Sequence, residues 1–152
     1  MLSPLQLKAH RFTLLHLEGL PQGLPEGNLE VSTSVSLGKH QTDSKQWKVE
    51  LKVTFGPNKD QSGPYRGVAE VVGLFEVLDG WPEEQCEKLV AINGTSLLYG
   101  AVREMILAMS SRSSHGELLL PTLLFQSLEE PPAAETAPPT KKAKKRGAKK
   151  SK

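Results

Sequence analysis

GLFEVLDGWPEEQCEKLVAINGTSLLYGAVREMILAMSSRSSHGELLLPTLLF (Gly73–Phe125) decides the fold. Its order is strand end, short helix, Asn93-Gly94 break, longer helix, then a leucine-proline run. Pro82, Glu83 and Glu84 suit a helix first turn, where the helix dipole favours acids and proline's missing N–H costs nothing. Asn93-Gly94 predicts a helix stop, and Thr95 or Ser96 a cap for a second helix. Leu98, Val102, Met105, Ile106 and Met109 then fall at helical spacing along one stripe. The run Leu118–Phe125 is too apolar for an exposed loop. Nothing in this stretch carries a catalytic pattern, so it reads as a binding module.

Upstream the period changes from helical to alternating. Leu29, Val31, Val35 and Leu37 alternate with Glu30, Ser32, Ser34 and Ser36, which predicts a half-buried strand. Trp47, Val49, Leu51, Val53 and Phe55 do the same against Lys48, Glu50, Lys52 and Thr54. The polar residues 39–44 between them predict a turn and an antiparallel pair. Tyr65–Leu78 predicts a third strand, with Gly73 as a bulge or a point of close approach. Phe12–Leu17 is a weaker first strand, joined to the next by the crossover LPQGLPEG (Leu20–Gly27).

The 152 residues suit one small domain, 1–128, and a tail, 129–152. Of 19 basic and 17 acidic residues, 8 and 3 fall from Glu129 onward, leaving 11 and 14 in Met1–Leu128. The folded part is mildly acidic, and the tail carries the positive charge. With four prolines, a lysine run and no apolar period, the tail is expected to be disordered. Lys141, Lys142, Lys144, Lys145, Arg146, Lys149 and Lys150 are its candidate polyanion contacts. They could meet nucleic-acid phosphates or an acidic protein surface, or simply favour solubility; no aromatic is interleaved for base stacking.

Cys86 stands alone, which fits a reducing compartment and excludes an intrachain disulfide. Neither a secretory leader nor a membrane-length apolar run is present, so a cytoplasmic protein without membrane insertion is expected. The four histidines lack metal-ligand spacing, and no nucleophile elbow, phosphate loop or dinucleotide fingerprint occurs. We therefore expect no enzyme, no metal and no cofactor.

The motifs EVVGLFEV (Glu70–Val77), SLLYGAVREMI (Ser96–Ile106) and LLLPTLLF (Leu118–Phe125), with LKAHRFTLLHLEG (Leu7–Gly19) before them, resemble in order the SecB export-chaperone family. The resemblance spans roughly Leu5–Leu128. It implies an α+β fold: a four-stranded antiparallel sheet with helices packed on one face. It implies a homotetramer, with Leu98, Val102, Arg103, Met105, Ile106 and Met109 at the oligomer interface. It also implies an ATP-independent holdase for unfolded or precursor polypeptides, in support of preprotein export. Leu29, Val31, Phe75, Leu78, Trp81, Leu120, Leu124 and Phe125 would contact clients. Glu18, Val68 and Glu70 match the family's docking positions for the SecA motor, and Leu14 stands where an acid would help. The crossover lacks the family's aromatic groove residues, and Glu129-Glu130-Pro131-Pro132 replaces its second long helix. The alternative is an interaction module of the same fold whose tail alone contacts nucleic acid or an acidic partner.

Overall fold

The computed structural model describes residues 1–21, 29–59 and 61–126. Four strands, β1 (Leu5–Gly19), β2 (Leu29–Lys39), β3 (Gln46–Pro57) and β4 (Tyr65–Val77), precede all helix. They form one antiparallel sheet in the order β1-β4-β3-β2. The expected tail with its seven basic candidates, and residues 22–27 of the crossover with Asn28 after them, lie outside the described residues.

The alternation read in the sequence is the alternation of burial. Trp47, Val49, Leu51, Val53 and Phe55 of β3, and Tyr65, Ala69, Val71, Phe75 and Val77 of β4, are buried on one face. Lys48, Glu50, Lys52, Glu70 and Glu76 line the other, where Lys52 meets Glu70 at 3.0 Å and Lys8 meets Glu76 at 3.0 Å. A one-residue slip would put the charges in the core, so burial itself pins this register.

β1 is far longer than the six residues expected. Its apolar alternation breaks because one extra residue is inserted between Leu7 and Ala9 and another between Phe12 and Leu14. Each bulge reverses which side chains face inward, hiding the period of two. The expected alternatives at Gly73 resolve to close approach. A Cβ there would lie 2.7 Å from both Leu98 Cδ2 and the Phe75 ring, so only glycine lets the helix descend onto β4.

The expected stop at Asn93-Gly94 is overturned. α1 (Glu83–Leu89) runs through a π-helical turn, Val90–Gly94, directly into α2 (Thr95–Ser110). Gly94 is itself right-handed helical at φ −62°. It lies close over the sheet, where a Cβ would come into contact with Phe75 and Val49 at 3.4 Å. Neither Thr95 nor Ser96 is a cap. Ser96 sits inside the helical run and donates from its hydroxyl to the Ile92 carbonyl at 2.7 Å.

Leu98, Val102 and Ile106 of α2 are driven into the buried face. Beyond Ser110 the chain turns at Tyr65, whose hydroxyl donates to Gly116 O at 2.7 Å and accepts from the His115 amide at 3.0 Å. His115 Nε2 is 2.6 Å from the Leu20 carbonyl and ties this turn to the end of β1. The leucine-proline run then travels back along α2. Arg103 Nε donates to Leu120 O at 2.9 Å, and the Tyr99 hydroxyl to Pro121 O at 2.6 Å.

Candidate binding surfaces

α2 packs across β3, β4 and β1. The inward row of edge strand β2 is therefore less well covered. Leu29, Val31, Val35 and Leu37 are only half-buried there, and Thr33 is exposed. Among the described residues the outer edge of β2 pairs with nothing. Its 11 residues contain no proline, its register with β3 has no bulge, and its only charged residues are Glu30 and Lys39 near the ends. Such an edge is open to strand addition. Lys39 bonds Glu83 at 3.1 Å, which brings the start of α1 to the end of this row. Trp81, 39% exposed, stands two residues before Glu83. Lys45 is paired with Asp79, and that hydrogen bond raises its ammonium above the ordinary lysine value.

The residues expected to contact clients do not form one cluster. Leu29 and Val31 lie in the β2 row, which Val35 and Leu37 continue. The strand alternation had already placed these two on the same face. Leu78 is half-buried just after β4, its amide bonded to Pro4 O at 2.8 Å. Leu124 is 81% exposed, whereas Phe125 packs edge-on to Tyr99 at 5.6 Å. Phe75 and Leu120 are wholly internal, Phe75 beneath the helix and Leu120 held by Arg103.

The expected interface set divides in the same way. Leu98, Val102 and Ile106 are 0% exposed and spend their surface on the sheet of their own chain. Arg103 is engaged with the leucine-proline run. Met105 and Met109 are half-buried and retain surface for a partner. Leu97, 48% exposed and outside the expected set, marks with Ala101 and Met105 a second apolar stripe at spacing four. A helix apolar on two sides blurs the single stripe that the sequence presents.

Glu18, Val68 and Glu70 share the outer face of the sheet across the β1–β4 pair, where Glu18 opposes Arg66 and Leu14 opposes Glu70. The Glu70 carboxylate is already met by Lys52. Among the described residues no group of three histidine, cysteine or acidic side chains is placed to hold a metal ion. No helix there is long and apolar enough to cross a membrane.

Comparison with known proteins supplies a family. The model for SecB, preprotein translocase subunit SecB, matches residues 18–134. None of the curated proteins compared matches the chain. Among solved structures, the Mycobacterium tuberculosis Rv1957 SecB-like chaperone, in complex with a ChAD peptide from the Rv1956 HigA1 antitoxin, superposes with a TM-score of 0.58 at 17% identity, over 79% of this chain and 88% of that one. That likeness is one of fold. A Streptococcus agalactiae protein of unknown function is a looser match, with a TM-score of 0.42 at 14% identity over 77% of this chain and 96% of that one.

Proposed function

The chain belongs to the SecB family, and on that premise we propose that it is an ATP-independent holdase that shields apolar segments of nonnative polypeptides. Family membership points to a chaperone, and the family's chaperones are not enzymes. The observation that supports a holdase most directly is the β2 ledge, an apolar row left half-covered beside an unpaired strand edge. Apolar side chains give such a surface energy without sequence selectivity, about 1.5–3 kcal/mol for each one fully buried. Backbone donors and acceptors along the edge hold any extended chain in the same way. No covalent step is required.

The direct test is light scattering from a chemically unfolded protein diluted into buffer with the full-length chain. Suppression at near-equal subunit concentration is expected, reduced several-fold in Val31→Asp/Val35→Asp. Unchanged aggregation with the wild-type chain removes the holdase reading. Assembly into a homotetramer and delivery to SecA are further parts of the proposal. The Leu97–Met105 stripe favours a partner on α2, and the Glu18–Glu70 surface favours a docking face opposite to the client side. Loss of SecA binding in Glu18→Lys/Glu70→Lys, with aggregation suppression intact, is the expected result for delivery. The lysine-rich tail supports a second activity, salt-sensitive polyanion binding, which truncation after Leu128 would abolish.

A further inference from the structure

We infer that a groove at the hairpin end of the sheet's outer face docks an acidic peptide segment carrying a leucine-sized side chain. The groove encloses about 750 Å³, within the usual range for binding clefts of ~300–1,000 Å³. Alternation fixes which face it opens on. Trp47 and Phe75 point into the core, so Lys48, Leu74 and Glu76 between and beside them point away from the helix. Leu74 is 42% exposed and supplies the apolar part. Gly38, opposite Lys48 in the register, contributes no side chain and leaves the groove open above its neighbour.

Donors predominate around it. Lys8, Lys48 and His40 line the groove against a single acid, Glu76, while Lys39, opposite Trp47 in the register, sends its ammonium to Glu83 on the helix face. His40 Nδ1 accepts the amides of Thr42 and Asp43 at 3.3 and 3.2 Å. With Nδ1 accepting, the ring's N–H is on Nε2, a further donor. Both lysines have partners, Lys8 with Glu76 and Lys48 with Glu50 at 2.7 Å, all on substantially exposed side chains. Exposed pairs of this kind contribute about 0–1 kcal/mol, so a partner's carboxylates can replace them at little cost.

The same lining favours a protein carboxylate over nucleic acid. Trp47, the groove's one indole, is 7% exposed and cannot stack a base. The groove lies towards the C-terminal end of β4, away from Glu18, Val68 and Glu70, and on the opposite face from the β2 row. It thus stands whether or not the chain is a holdase.

The test is fluorescence anisotropy of a labelled acidic octapeptide containing two leucines, titrated with the full-length protein at low salt. A benzophenone on the peptide maps its site by cross-linking. Binding that weakens about tenfold in Lys8→Gln/Lys48→Gln and in Leu74→Asp, with cross-links on β3 or β4, is expected. The paired variants guard against misfolding, since the first keeps long polar side chains on the surface and both are checked by their melting curves. The proposal is overturned by any of four results: no binding, equal binding of the lysine-for-acid peptide, variants that bind as tightly as wild type, or cross-links confined to the tail. A single-stranded oligonucleotide that binds more tightly, and loses affinity in the same variants, overturns it in favour of nucleic acid.

Discussion

Gly73 and Gly100 look alike in the sequence, yet their surroundings give opposite predictions. At Gly73 a methyl group would collide with Leu98 and Phe75 at 2.7 Å, so Gly73→Ala is expected to cost about 1–3 kcal/mol in denaturant unfolding. At Gly100, on the exposed side of α2, a Cβ meets nothing within 4 Å. Gly100→Ala should therefore stabilise by about 0.5–1 kcal/mol through helix propensity alone. Tyr99 gives a pH signature. Burial holds its hydroxyl above the ordinary tyrosine value of 10.0, and Arg103 opposes part of that rise. A raised acid binds its proton more tightly folded than unfolded. Its contribution to stability is thus complete below pH 10 and declines as pH rises through the folded value. Melting temperature should fall above pH 10, and less steeply in Tyr99→Phe.

At the scale of elements, the leucine-proline run is a strap rather than a strand. It makes no ladder; side chains of α2 and Ser110 grip its backbone, with Leu118 N bonded to Ser110 Oγ at 2.8 Å. Arg103→Ala would leave the buried Leu120 carbonyl without its charged donor, at a cost of about 1–3 kcal/mol. Hydrogen exchange should then quicken across Leu118–Phe125 while β3 and β4 stay protected. The motif read around Arg103 was legible as a helix, but its partner was not. An arginine beside an apolar stripe carries no mark of whether it meets another subunit or a carbonyl 17 residues later. Likewise Asn93-Gly94 is a stop signal only by local preference. Here Gly94 lies buried above Phe75 and Val49, flanked by the buried Val90 and Leu98, and the chain continues through a π turn.

At the scale of the whole molecule, what matters is which apolar surface the single sheet and helix leave uncovered. The β2 row, Trp81, and the stripe through Leu97 and Met105 remain, and these are the surfaces that the proposed clients and partner subunits would cover. Leu97→Lys/Met105→Lys is expected to lower the sedimentation-equilibrium mass while leaving the far-ultraviolet spectrum unchanged. Unaltered mass would remove α2 from the interface.

The sequence by itself determined the α+β class, strands β2 to β4 and their faces, because alternation over many residues has one buried solution. It also carried the family, through motifs kept in order along the chain. Tertiary structure alone decided the rest. It extended β1 through two bulges that scramble its period, fused two helices into one, and moved Phe75, Leu98, Val102, Ile106 and Leu120 from expected contact surfaces into the core. Apolar residues report only that they will be buried. Whether the covering surface belongs to the same chain or to a partner depends on how the elements pack, which no local pattern encodes.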